Sequence, residues 1–239
     1  MKAIILAAGR GSRMQDMTDD RPKCLLQLHD KSLLDRGIES LKAAGITEIA
    51  IVTGYKREML ADRATTEFHN ARWMETNMVS SLACAAEWLQ SAPCIVAYSD
   101  IFYEPSAVAS LMAHSADLAV TYDPHWLELW TNRFGDPLLD AETFRLNGDG
   151  TLAEIGNKPE SLDEIEGQYM GLLRFTPRAW AEVERLRSSL PEQTRDAIHM
   201  TGTLNKLIGF GRISIAAVPY TEPWGEVDFA DDLSFYHQR

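Results

Sequence analysis

An α/β fold built on a buried, largely parallel sheet is what this sequence predicts. Short apolar runs alternate with segments of helical period, giving a βαβα order. The run Ile49-Ala50-Ile51-Val52 is apolar at every position, as expected of a strand covered on both faces. Glycine and proline punctuate the boundaries. In chain order, residues 2–8 read as a strand and 32–44 as a helix ended by Gly45. Strand 48–53, helix 79–89 and strand 94–98 follow. A helix from Pro105 through Met112 leads to strand 118–122. Beyond Tyr122 the pattern loosens. Residues 144–146 and 152–155 flank Gly148-Asp149-Gly150 as a hairpin, and an insertion is expected around 123–170. Helices 177–188 and 201–208, strand 213–218 and a last helix from Ala230 complete a single domain spanning 1–239.

Composition narrows the function. With 45% hydrophobic and 24% charged residues the chain is an ordinary globular one. A net charge of -12 without a basic patch argues against nucleic acid as a partner and leaves small molecules. No apolar run approaches a membrane span, and the one before Gly9 is too short for a signal peptide, so a cytoplasmic location is expected. Cys24, Cys84 and Cys94 lack CxxC spacing and are read as buried hydrophobes rather than disulfides or zinc ligands. Neither HExxH nor GxSxG occurs.

The first strand runs straight into "AAGRGSRM". Its backbone, from Leu6, Ala7 and Ala8 through Gly9, Gly11 and Ser12, can cradle a phosphate, or can simply form a βα turn. A dinucleotide fingerprint would need a third glycine where Met14 stands, and GxxxxGK[ST] is absent. Arg13 and Lys23 share the long loop that follows. Two cations framing one anion site is the suggestion, with Pro22 stiffening the approach to Lys23.

The stretch "LAAGRGSRM...RPKCLLQL...SLLDRGIESLKAAGITEIAIVTGY" resembles the signature of sugar-phosphate-type nucleotidyltransferases, LAAGxGxRxxxxTxxxPKxLL. It departs from it in lacking the proline often found between the arginine and Thr18. The resemblance implies a Rossmann-like three-layer αβα fold with a central mixed, mostly parallel sheet. It also implies that Arg13 and Lys23 hold a nucleoside triphosphate. Asp100 lies just past the end of a buried strand, where open α/β sheets bind ligands, and a carboxylate there suits Mg²⁺. Asp228 is a second such carboxylate or the cap of the last helix, and Glu226 is a weaker candidate; the resemblance favours Asp100 and Asp228 as the metal pair. Lys158 in "GNKPE" is similar to the family's EKP lysine, which contacts the acceptor phosphate, although Asn157 replaces the acid; otherwise it is an exposed loop lysine.

"ETNMVSSLACA", "YSDIFY", "GQYMGLLRF" and "WGEVDFADDL" look like the branch of phosphocholine and phosphonate cytidylyltransferases. That resemblance implies CTP as nucleotide and a small phosphate or phosphonate such as phosphocholine or 2-aminoethylphosphonate as acceptor. Asn77, Ser80 and Ser81 would then read the nucleoside, unless the serines cap the following helix. In "DPHWLELWTNRFGDP", Trp126 and Trp130 share a helix face with Asp123, Glu128 and Arg133 nearby. The rings either receive a cationic acceptor head, with Tyr169 lining the same pocket, or anchor the core or a dimer interface. A sugar-1-phosphate uridylyl- or thymidylyltransferase and a catalytically silent nucleotide-binding protein are the alternatives. Nothing in the sequence sets the oligomeric state.

Overall fold

A computed structural model describes residues 1–60 and 62–238. The strands are β1 (Lys2–Ala7), β2 (Gln27–Leu28), β3 (Lys31–Ser32), β4 (Ile49–Thr53), β5 (Thr66–His69), β6 (Cys94–Tyr98), β7 (Ile101–Tyr103), β8 (Leu118–Asp123), β9 (Phe144–Leu146), β10 (Leu152–Ile155), β11 (Gln168–Phe175), β12 (Ile215–Pro219) and β13 (Trp224–Glu226). The helices are α1 (Leu33–Ala43), α2 (Met78–Ala83), α3 (Ala86–Ser91), α4 (Pro105–Ala113), α5 (Trp126–Phe134), α6 (Pro177–Ser189), α7 (Glu192–Ala197), α8 (Met200–Phe210) and α9 (Ala230–His237). Seven strands form the central sheet in the order β12-β8-β11-β6-β1-β4-β5. All pairings are parallel except those of β11, which runs antiparallel to both neighbours, so the sheet is mixed and mostly parallel as expected.

Period-two alternation divides the core. Ala3, Ile5 and Ala7 of β1 pack with α1, α4 and α5 on one face. Ile4 and Leu6 pack with α2, α3, α6 and α8 on the other, which gives three layers. A smaller cluster joins Met14, Leu26, Leu28 and Leu33 to Val227, Leu233 and Tyr236, fastening the loop after β1 to the C-terminal helix. The chain leaves β1 toward β4 and β5 and later returns to β6 on its other side. This reversal opens a crevice at the carboxyl ends of β1 and β6.

The helix expected over 79–89 is two, because the amides of Cys84 and Ala85 bond three residues back and tighten the turn between α2 and α3. Cys84 is exposed there rather than buried. Edge strand β5, with its alternating half-buried pattern, was not legible in the apolar runs. Among the described residues no helix is long and apolar enough to cross a membrane.

Trp126 and Trp130 do share a face of α5, but that face is turned to the core. They are 4% and 0% exposed, and Trp130 stacks on Trp224 with ring centroids 6.0 Å apart. An acceptor cannot reach them. Trp130→Ala is therefore expected to destabilise the fold by roughly 3–5 kcal/mol, the usual cost of emptying an aromatic site. A denaturation midpoint unchanged from wild type would contradict that placement.

Candidate active site

A cleft of about 700 Å³ occupies the crevice beyond β1 and β6. Leu6, Ala8, Gly9, Gly11 and Ser12 line it, whereas the side chain of Ala7 points into the opposite core face, because successive side chains alternate along β1. The carbonyl of Ala8 accepts the amide of Tyr55 at 2.9 Å and fixes where the loop leaves the strand. Gly11 is required twice over. Its φ of 78° is left-handed, and a Cβ there would stand 2.6 Å from the Cβ of Lys23. The lysine stem crosses the loop over the space this glycine leaves.

Pro22 is extended (φ -63°, ψ 147°) and delivers Lys23 into the cleft. Its ammonium lies 2.5 Å from Asp100 Oδ2 and 2.6 Å from Asp228 Oδ1. Burial opposes the charged lysine, but the two carboxylates outweigh it and hold the amine above its ordinary pKa. Burial likewise works against the Asp228 carboxylate, which nevertheless stays low because Lys23 and then Arg13 face it. Arg13 stands at the mouth, 63% exposed, with Nη1 3.6 Å from Asp228 Oδ2 and its guanidinium 5.6 Å from the centre of the Phe229 ring. Asp100 and Asp228 are the carboxylates able to hold a divalent cation. No group of three or more His, Cys, Asp or Glu among the described residues could hold a metal ion by itself. A pair of carboxylates completed by substrate phosphates is the donor set Mg²⁺ takes, so the residues fit that ion.

On the side toward α2, Trp73, Thr76 and Met78 line the cleft beside Asn77 and Ser81. Asn77 caps α2, accepting the amide of Met78 at 2.7 Å and donating to the carbonyl of Ala197 at 3.1 Å. Ser81 accepts from Asn70 Nδ2 at 2.9 Å. Ser80, one residue earlier on the helix, faces away from the cleft and accepts from Arg187 Nη2 at 3.1 Å, so the expected nucleoside contact from it does not arise. Neighbouring residues on a helix point in different directions, which is why only one of the two serines can line the cleft.

The acceptor-side expectations need the largest correction. Besides the two tryptophans, Asp123 and Arg133 are committed elsewhere. Asp123 is buried and accepts from Trp224 Nε1 at 2.9 Å and from the amide of His125 at 2.7 Å. Arg133 is buried between Asp232 and Glu226. Lys158 is exposed in the loop after β10 and is not part of the cleft wall. Tyr169 does line the cleft, edge-on to Tyr98 with centroids 5.9 Å apart. Gly171, at φ 76°, makes room for Tyr98, whose ring a Cβ would meet at 2.8 Å.

Asp140, Glu142, Gln168 and Glu226 also line the cleft, and of these only Glu226 is a candidate from the sequence. Burial raises Asp140, with the Asp228 charge adding to it, and the charge of Glu142 reaches Tyr98 and Tyr169. Neither Asp140 nor Glu142 makes an ion pair among the described residues. Their signal in the sequence was only the acidic character of the segment after α5, since neither sits in an element with periodicity.

Comparison with known proteins agrees with this geometry. The model of the MobA-like NTP transferase domain matches residues 3–189. The chain is 36% identical, over 98% of its own length and 98% of the relative's, to the CTP:phosphoglutamine cytidylyltransferase of Campylobacter jejuni. Over 41% of this chain and 42% of the relative it is 32% identical to the 2-aminoethylphosphonate cytidylyltransferase of Lancefieldella rimae. The solved inositol-1-phosphate CTP transferase of T. maritima superposes with a TM-score of 0.79, covering 98% of this chain and 93% of that one at 19% identity, a likeness of fold. A matched domain over most of the chain, a relative aligned end to end and a cleft at the strand reversal agree: the chain belongs to the MobA-like NTP transferase family and is a nucleotidyltransferase.

Proposed function

We propose that this chain is a single-domain, cytoplasmic, Mg²⁺-dependent cytidylyltransferase that transfers CMP from CTP to a small phosphate or phosphonate bearing a cationic amine, with release of pyrophosphate. The observation that carries the reading is the polarity of one cleft. Arg13 and Lys23 stand on the glycine-loop side, while Glu142 offers an unpaired carboxylate whose charge reaches Tyr98 and Tyr169. An ammonium over a tyrosine face and near a carboxylate is favoured on both counts. Phosphoglutamine and 2-aminoethylphosphonate, the acceptors in the names of two relatives, both pair an anionic phosphorus group with an amine. Their chemistry supports the same division of the site.

The reaction asks little covalent work of the protein. The acceptor oxygen is already anionic, with a second pKa of about 6 for a monoester, and so needs no general base. It bonds to the α-phosphorus of CTP as the bond from that phosphorus to its bridging oxygen breaks, and pyrophosphate departs with the electron pair. Lys23 exchanges a carboxylate for phosphate oxygens and, with Arg13, balances the charge that gathers on the leaving group. When bound by Asp100 and Asp228, Mg²⁺ supplies further charge neutralisation at the phosphates. Asn77, Ser81, Trp73 and Met78 form the wall offered to the nucleoside.

Pyrophosphate release from CTP, UTP, ATP and GTP, measured against aminoethylphosphonate, phosphocholine, phosphorylated glutamine, glycerol phosphate and hexose phosphates, tests the assignment. Turnover of CTP with an amine-bearing acceptor is expected; preference for UTP or dTTP with a hexose 1-phosphate would replace this reading by a sugar nucleotidyltransferase. Lys23→Ala should reduce kcat by at least about a hundredfold while the protein remains folded, because it removes charge where charge develops. Gly11→Ala should act in the same direction by displacing Lys23, with a smaller loss of the thermal midpoint than of turnover. Glu142→Gln should raise KM for the amine-bearing acceptor by roughly five- to thirtyfold and leave KM for CTP alone, a ratio corresponding to about 1–2 kcal/mol. Equal effects on both substrates would place Glu142 outside the acceptor site.

A further inference from the structure

Arg133 carries an enclosed cation. Its side chain is 0% exposed and its guanidinium lies 4.8 and 4.7 Å from the ring centres of Trp130 and Phe134. Its Nε and Nη2 donate to the two oxygens of Asp232, each at 3.0 Å, and Nη1 donates to Glu226 Oε1 at 3.0 Å. Asp232 passes this order on. Its Oδ2 accepts the backbone amides of Asp228 at 2.8 Å and Phe229 at 2.9 Å. From the other side, the amide of Val227 donates to the carbonyl of Asp100 at 3.0 Å. The turn that presents Asp228 to Lys23 is thereby clamped between the end of β6 and a guanidinium carried by α5.

We infer that Arg133 and Asp232 are positioning residues for nucleotidyl transfer: the Arg133 fork orients Asp232, which fixes the backbone of the Asp228 turn and with it the Asp228–Lys23 pair. The inference rests on the reaction proposed above. A buried ion pair is a poor way to fill a core, since apolar residues of similar volume generally serve stability as well or better. An arginine does here what an apolar residue cannot. Its planar fork occupies both oxygens of Asp232 and sets the carboxylate plane, so that one oxygen meets two main-chain amides. The third donor holds Glu226 in the cleft wall, so one guanidinium fixes a carboxylate on each side of the turn. A lysine would keep the charge and lose the fork.

Arg133→Lys and Asp232→Asn separate geometry from charge. Each is measured for kcat, KM of CTP, KM of acceptor and thermal midpoint, and each is recorded by two-dimensional ¹H–¹⁵N spectra of the lysine ammonium groups, with the Lys23 signal identified by its loss in Lys23→Met. A salt-bridged, enclosed ammonium exchanges slowly with water and gives such a signal without any substrate present. Displacement of a reacting group by about 1 Å can cost about a hundredfold, so kcat is expected to fall by roughly ten- to a hundredfold with KM of CTP changed by less than about threefold. The Lys23 signal should shift or broaden in both variants. A wild-type Lys23 signal, or full kcat in the fraction that remains folded, would overturn the inference and leave Arg133 a stabilising residue only. If the wild-type protein turns over none of the tested substrate pairs, the proposed reaction fails, and the Lys23 signal alone decides whether Arg133 and Asp232 hold the pair.

Discussion

The site depends on one ammonium held between two carboxylates. Lys23, Asp100 and Asp228 come from the loop after β1, the end of β6 and the turn before α9, so a single cluster of charge joins segments separated by up to 205 residues. Each partner alone would be costly to enclose. Without the amine, the carboxylates would face each other in a low-dielectric cleft; without them, burial would drive the amine toward neutrality. The interaction therefore ties the turn before α9 to the cleft as well as forming part of the site. The cluster around Met14, Val227 and Leu233 supplies the apolar contact that docks the C-terminal helix on the loop after β1.

That arrangement is also poised to change partners. A pair of carboxylates around an ammonium is a stable resting state for an empty cleft, and a triphosphate offers the same ammonium more oxygens of higher charge. On the proposed reaction, exchange of one set for the other would free Asp100 and Asp228 to hold a divalent cation when phosphates are present to complete its donor set. Gly11 matters for the same reason, because the lysine stem crosses the loop there and its reach is set by a backbone rather than by a flexible neighbour.

The parallel part of the sheet was legible because its strands are buried on both faces, so β1, β4, β6 and β8 stand out as continuous apolar runs. Strand β11 was not delimited, although its residues 168–175 are nearly all buried, because it lies within the segment where helix and hairpin signals overlap. The glycine loop and Lys23 were legible since their chemistry is local: a turn, a proline and a cation within a few residues. The acceptor wall was not. Spacing of four put Trp126 and Trp130 on one helix face, but spacing does not say whether that face meets core or cleft. The answer depends on Trp224, nearly a hundred residues away, which stacks on Trp130. Ser80 failed for the same reason, its direction being set by the packing of α2 and its bond to Arg187.

On the proposed reaction, the distribution of charge across the cleft would orient the substrates. A nucleoside triphosphate, charged at one end, would on that reaction lie with its phosphates at Arg13 and Lys23. Glu142, near Tyr98 and Tyr169, would repel phosphates placed there, which would disfavour the reversed pose before any base contact is made. An acceptor with an anion at one end and an ammonium at the other meets the converse field. On the proposed reaction its phosphorus group would be pulled toward the cations and its amine toward Glu142, which would aim the attacking oxygen at the α-phosphorus. A neutral sugar phosphate would feel only the first half of that pull, and would leave unpaired carboxylates enclosed beside it.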